Sequence, residues 1–272
     1  MLTVRCIVVY VFTPVTSLLF SKSVTKLEKI QKEITIMFTY KGKTVLITGA
    51  SSGLGLTFAH ALAERSMNVI LVARSEERLR ALAKEISERY NVHAEVIVAD
   101  LSQARESERI QQVVEQRHLA VDMLINNAGF ATHGFFETLD SERDHEEIMV
   151  DVASVVALTR AFLPSMVARG EGAVINVAST AAFQPVPYMA VYGASKAFVL
   201  SFSQALSEEY SKRGIRFLAL CPGATETNFF QVAGEGAAFG RKRTSEQVIA
   251  TALSLAPCLG RTMQSPCSSC SA

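Results

Sequence analysis

A tyrosine and a lysine four residues apart, Tyr192-Gly-Ala-Ser-Lys196, form the pair in this chain that points most directly at a reaction. On a helix they stand one turn apart on the same face. A free tyrosine titrates near pH ~10, so acid/base work near neutrality asks for roughly 3 to 4 kcal/mol of preferential stabilisation of the phenolate. Lys196 can supply much of that. Ser179 lies thirteen residues upstream of the tyrosine, and a hydroxyl brought to the pair would hydrogen-bond a substrate carbonyl and orient it toward the Tyr192 proton. Two neighbouring hydroxyls have blander roles: Thr180 reads as a turn residue and Ser195 as a helix-surface residue. On its own the pair is a common coincidence, and an isolated Tyr192 would be read as an interface aromatic.

A second constellation is Thr48-Gly49-Ala50-Ser51-Ser52-Gly53-Leu54-Gly55, a Gly-rich turn between an apolar run and a helical pattern. Its glycines permit the tight turn, let the backbone approach a pyrophosphate and let the helix pack on the strand. The helix amino end offers amides and a partial positive charge to phosphate. After the next apolar run, an acidic residue would bind the free 2′-hydroxyl of NAD. Ala73 stands there instead and Arg74 follows, whose guanidinium suits a 2′-phosphate, so NADP(H) is the expected cofactor. The alternative is a solvated Arg74 beside Glu76 and Glu77.

These residues need a scaffold, and the hydrophobic pattern supplies one. Apolar runs at 44–48, 69–73, 94–99, 121–126, 173–177 and 215–221 have strand length and are rich in Val, Ile and Leu. Helical spacing fills 57–65, 76–90, 106–116, 146–168 and 197–213. The alternation predicts an α/β fold, a doubly wound parallel sheet of Rossmann-like type in a single domain. Ligands of such sheets sit outside the carboxyl ends of the strands, where each motif above falls.

With the spacing TGxxxGxG, rather than GxGxxG, the chain resembles the short-chain dehydrogenase/reductase family from Lys43 to about Leu255. The resemblance implies a cofactor contact for the turn residues Thr48, Gly49, Ser51, Ser52, Gly53, Leu54 and Gly55. It also implies an adenine contact at Asp100 and Leu101, and a largely structural role for the NNAG run containing Asn127, Ala128 and Gly129. Alone, Asp100 could cap a turn and NNAG could serve backbone geometry. The family's serine falls at Ser179, its acid/base at Tyr192, and its Lys196 also holds the nicotinamide ribose. Pro222, Gly223 and Thr227 match its PGxxxT segment near the nicotinamide carboxamide. One position departs from the pattern: Asp151 stands where the family has an asparagine at a helix kink. A carboxylate there would strengthen the cationic form of Lys196 yet compete for its charge, unless it faces away.

Composition narrows the function class. A formal net charge of +1 and no basic-aromatic clusters argue against nucleic acid, and 49% hydrophobic residues can bury a large core. Five cysteines form no legible disulfide framework, and Cys267-Ser-Ser-Cys270 lacks the partners of a zinc set, so no metal is expected. Three segments are expected: an extension over 1–40, with Met37 as an alternative start; the sheet domain over 41–256; and an irregular tail over 257–272. The apolar stretch 6–20 is short for a membrane span and broken by Pro14. A cytoplasmic protein is therefore expected, membrane-associated only if the N-terminal segment is retained; a homo-oligomer is expected as well. Its reaction would be hydride transfer on a largely apolar ketone, aldehyde or secondary alcohol. Phe229, Phe230, Phe239, Phe183, Val186 and Tyr188 are candidates for the cleft wall, with core packing as the equal alternative, and His133 is more simply a packing histidine. Two other functions compete: a low-turnover NADP-binding regulatory or interaction protein, and a membrane-associated lipid or sterol reductase that retains the N-terminal segment.

Overall fold

The computed structural model describes residues 8–10, 38–225 and 243–255. Among them, seven strands form one sheet: β1 (Val8–Tyr10), β2 (Thr44–Thr48), β3 (Asn68–Ala73), β4 (Ala94–Val98), β5 (Met123–Asn126), β6 (Gly172–Val177) and β7 (Ile215–Cys221). Their order is β1-β7-β6-β5-β2-β3-β4. The six from β2 onward run parallel, while β1 lies antiparallel along the outer edge of β7, with Val9 opposite Leu220. The order reverses at β2, which pairs with β3 on one side and β5 on the other. Chain segments leaving these two strands diverge, and a crevice opens at their carboxyl ends.

Seven α-helices are described: α1 (Gly53–Ala63), α2 (Glu76–Tyr90), α3 (Glu106–Gln116), α4 (Ser141–Ile148), α5 (Ser154–Arg169), α6 (Ala190–Tyr210) and α7 (Ser245–Leu255). They cover both faces of the sheet, which is why the strands read as continuous apolar runs. Alternate residues of one strand enter different cores. Val45 and Ile47 pack with Phe58 and Leu62 of α1, Leu79 and Ile86 of α2, and Val248 of α7. Leu46, between them, packs with Ile110 of α3 and with Leu158 and Met166 of α5.

The strand positions follow the apolar runs closely, whereas the helix starts do not. The pattern marks Thr57, Glu146 and Ala197, but α1 starts at Gly53, the segment that includes Glu146 starts at Ser141, and α6 starts at Ala190. The first turns of α1 are glycine-rich, those of α4 polar and those of α6 mixed and rich in small residues, so hydrophobic periodicity does not register there. Asp140 caps α4 by accepting a hydrogen bond from Glu142 N at 3.0 Å. The stretch expected as one helix over 146–168 is interrupted by a π turn, Met149–Ala153, with Asp151 at its centre. Helix α7 was not expected at all.

Leu46 is fully buried in the central strand. Leu46→Ala should lower the free energy of unfolding by about 2–5 kcal/mol. Urea denaturation should show a lower midpoint with an unchanged slope.

Candidate active site

A cleft of about 960 Å³ runs along the carboxyl edge of the sheet, from the β2–α1 turn to the first turns of α6. Gly49, Ser51, Ser52, Gly53 and Leu54 line one end, placing the unbonded amides of the α1 amino terminus at its wall. Gly49 turns the chain in the left-handed region at φ 65°. At Gly55 an added Cβ would collide with the Gly49 carbonyl oxygen, so only glycine lets α1 start this close to the incoming strand. The far side of the crevice is braced across it. Asn127 N and Ala128 N donate to Thr48 Oγ1 at 2.9 and 3.0 Å, and Asn127 Nδ2 donates to Thr48 O at 2.8 Å. This brace fixes the separation of β2 and β5.

Arg74, just past the end of β3, lines the cleft with its side chain exposed and has no ion-pair partner among the described residues. Glu76, a possible competitor, is instead 2.6 Å from Arg80. Arg78 also lines this wall, a second guanidinium that the sequence reading missed. Its spacing of four from Arg74 at a helix start was the available signal. Asp100 and Leu101 line the cleft as well, but Asp100 Oδ1 accepts hydrogen bonds from Ser102 N (3.1 Å) and Ser102 Oγ (2.8 Å), so that carboxylate holds its own turn. A dinucleotide fits this half of the cleft: a glycine cradle at a helix amino end, two cations beside it, and no carboxylate at the end of β3.

The other half gathers Ser179 after β6, Tyr192 and Lys196 in the first turns of α6, and Asp151 in the π turn. Ser179 and Tyr192 are 9% and 8% exposed, Lys196 is 4% exposed and Asp151 is fully buried. The Ser179 hydroxyl is hydrogen-bonded to the Tyr192 phenol and accepts from Ala181 N at 3.1 Å. Lys196 Nζ donates to Val177 O at 3.2 Å, stands 2.8 Å from Asp151 Oδ2, and lies 5.5 Å from the centre of the Tyr192 ring. Asp151 Oδ1 accepts from Phe130 N at 3.2 Å. Asp151 therefore faces the lysine, not away from it. The pair fills the space beside Gly129, where a Cβ would lie 2.9 Å from Asp151 Oδ1 and 3.1 Å from Lys196 Nζ.

The electrostatics depart from the expectation of a depressed tyrosine. Burial pushes the Tyr192 phenol up; Lys196 and the Ser179 hydrogen bond pull it down, and Asp151 and Glu147 push it up further, so the net direction is upward. Burial also opposes the charge of Lys196, but Asp151 and Tyr192 outweigh it and hold the ammonium above its ordinary range. Burial pushes the Asp151 carboxyl up against the pull of Lys196 and Phe130 N. Much of the lysine charge meant for the tyrosine is thus engaged by Asp151.

Glu147, also missed, is fully buried one turn before Asp151, with Oε2 accepting from Thr132 N at 2.8 Å. Its visible signal was a pair of acids four apart, Glu147 at the end of a polar helical stretch and Asp151 within the apolar run that follows. Ser195 is buried, not on the helix surface as expected, because α6 lays that side against the sheet. Val186 lines the cleft with Phe130, Val150 and Met189. Phe183 and Tyr188 are 43% and 51% exposed and belong neither to that wall nor to the core. Tyr188 packs edge-on against Phe135 at 5.2 Å, and the His133 ring lies 6.1 Å from it. Pro222 and Gly223 line the cleft, while Thr227, Phe229, Phe230 and Phe239 lie outside the described residues.

Residues 43–237 match a family model described as short chain dehydrogenase. Hydroxysteroid dehydrogenase-like protein 1 of Gallus gallus is 39% identical over 72% of this chain and 59% of its own length. A Homo sapiens protein named Inactive hydroxysteroid dehydrogenase-like protein 1 is 34% identical over 66% of this chain and 55% of its own length. The chain thus spans less than two thirds of these relatives. Among solved structures, a short-chain dehydrogenase from Sphingobium yanoikuyae in complex with NADPH is 36% identical. It superposes with a TM-score of 0.74, covering 78% of this chain and 84% of that one.

Gly129→Ala should force the Asp151 and Lys196 charges apart and cost roughly 1–3 kcal/mol. Gly193→Ala is the control, because its Cβ would meet Val186 Cγ2 at an ordinary 3.5 Å. Thermal denaturation of the two variants should show a clear loss for the first and almost none for the second.

Proposed function

Because this chain belongs to the short-chain dehydrogenase family of oxidoreductases, we propose that it transfers hydride reversibly between NADP(H) and a ketone, aldehyde or secondary alcohol. One observation carries this reading: Tyr192, Ser179 and Lys196 converge on the wall of a cleft whose other end is a glycine cradle flanked by Arg74 and Arg78. Phe130, Val150, Val186 and Met189 line the cleft too, which favours a largely apolar carbonyl compound.

In the reducing direction, Ser179 Oγ and the Tyr192 hydroxyl hold the carbonyl oxygen and polarise it. Bound NADPH would supply the hydride to the carbonyl carbon. Tyr192 gives its proton to the oxygen as negative charge builds there, and Lys196 stabilises the phenolate left behind. The backbone of the Gly-rich turn would hold the pyrophosphate, and Arg74 with Arg78 the 2′-phosphate. Oxidation runs the same steps backwards, with Tyr192 taking the proton.

A second reading is a cofactor-binding protein with little turnover. The 2.8 Å contact between Lys196 and Asp151 favours it, since it withdraws charge from the phenolate. Turnover of the unmodified chain separates the two readings, and a rise in turnover or a shifted pH profile in Asp151→Asn traces the restraint to the aspartate.

Following NADPH oxidation across ketones, aldehydes and acyl thioester ketones tests the proposal, and no turnover on any of them would reject it. Tyr192→Phe should lower kcat about 10²- to 10⁴-fold while leaving the NADPH Kd nearly unchanged, because it removes a proton and little volume. Arg74→Ala should narrow the preference for NADPH over NADH by about tenfold, the worth of one charged hydrogen bond at a partly exposed site, as measured by fluorescence titration.

A further inference from the structure

Behind the catalytic wall lies a carboxyl group that the proposed reaction does not use. Glu147 ends the last turn of α4, and Asp151 follows one turn later; both are fully buried. One buried ammonium, Lys196, stands with them and is bound to Asp151 at 2.8 Å. Arg143, the nearest arginine on the same helix, pairs with Glu146 at 2.6 Å and stacks over Phe130 at 4.3 Å. Among the described residues, two buried carboxylates face one buried cation, an imbalance that favours a proton on one carboxyl group near neutrality.

Asp151 has the Lys196 ammonium at 2.8 Å, which leaves Glu147 to take the proton, and the hydrogen bonds around Glu147 agree. Thr132 Oγ1 lies 2.9 Å from Glu147 Oε2 and 2.9 Å from Asp144 Oδ1. A hydroxyl has a single proton and donates to one acceptor; the second contact is a hydrogen bond only when that carboxyl is protonated and donates in turn. Asp144 is only half-buried, while Glu147 is sealed in and its Oε1 has no partner. The proton belongs on Glu147, which donates to Thr132 while Thr132 donates to Asp144. Burial pushes the Glu147 carboxyl up to about 7, against the pull of its Thr132 hydrogen bonds and with help from the Asp151 and Asp144 charges.

We propose that Glu147 is a positioning residue whose protonation sets the charge behind the Lys196–Asp151 pair, and with it the pH range in which Tyr192 gives or takes its proton. The proposal rests on the oxidoreductase reading above. Solvent reaches the buried group through side chains: Glu147 releases its proton to the Thr132 hydroxyl, which passes its own to Asp144 and on to water. No other bond changes. The titratable groups facing Glu147 are Asp144 on its own helix, Asp151 on the π turn, and Lys196 and Tyr192 on α6. When Glu147 ionises, its negative charge engages Lys196 and raises the Tyr192 phenol. When it is protonated, Lys196 answers to Asp151 and Tyr192 alone.

Glu147→Gln keeps the shape and abolishes the titration. Infrared difference spectra of the unmodified full chain should contain a protonated carboxyl band that disappears as pH rises through about 7 and is absent from E147Q. In NADPH-dependent reduction, the alkaline fall of kcat/KM marks loss of the Tyr192 proton. In E147Q it should move to lower pH by about 0.5–1 unit, with the NADPH Kd unchanged. Thr132→Val removes one donor to the carboxylate and should move the infrared titration to higher pH, which serves if E147Q does not fold. A structural role alone would lower stability or kcat without moving the alkaline limb. An unmoved limb in E147Q, or a carboxyl band that persists in it, overturns the proposal. If no carbonyl is turned over, the oxidoreductase reading fails separately. The ultraviolet titration of Tyr192, taken as the difference from Y192F, then decides the inference by whether E147Q lowers it.

Discussion

Keeping the Lys196 ammonium out of water is the constraint to which the catalytic half of the fold answers. An unpaired buried cation costs several kcal/mol or gives up its proton. Four elements meet here to prevent that: the end of β6 through Val177 O, the π turn through Asp151, the loop after β5 through Gly129, and α6, which carries both Lys196 and Tyr192. Gly129 contributes by what it lacks, since a side chain there would occupy the space of the ion pair. The π turn contributes by geometry, placing Asp151 toward the lysine between two helices that continue along the same line.

The same constraint links stability to chemistry. Lys196 is bound by Asp151 and approached by the Tyr192 phenol, so whatever strengthens one contact weakens the other. Where an asparagine would leave the lysine charge for the tyrosine, the aspartate shares it. Burial pushes the Tyr192 phenol up despite a lysine one helical turn away, and the Asp151 charge adds to that push. The cofactor half is governed differently, by close approach and not by charge. The Thr48–Asn127 brace and the packing of Gly55 on Gly49 set a crevice width that polar backbone atoms line.

Much of this was legible in the linear sequence because the signals are local. Six apolar runs bounded by polar turns are enough to call for a parallel sheet covered on both faces. A Gly-rich turn between strand and helix states its purpose through residue type alone, and Tyr192 with Lys196 declares a shared helix face by spacing. Helix starts were less legible, since Ala190 to Lys196 buries polar and small residues that break no pattern and make none. The burial of Ser195 and the exposure of Phe183 and Tyr188 ran against type for the same reason: a residue's hydrophobicity does not say which side of its element meets the sheet.

The sequence by itself determined the chain order of the six parallel strands, the position of the turn at Gly49–Gly55, the one-turn spacing of Tyr192 and Lys196, and the aspartate at 151. Only the tertiary structure decided that Asp151 points at Lys196, that Glu147 is sealed beside them, and that Arg78 joins Arg74 on the cleft wall. The first two depend on contacts between segments far apart in the chain, and the third on how the start of α2 sits against the cleft. A π turn shifts the register of every side chain after it, and no composition or period announces that shift. The charge state of a buried group follows from the sum of its neighbours, and those neighbours become known only when the chain is folded.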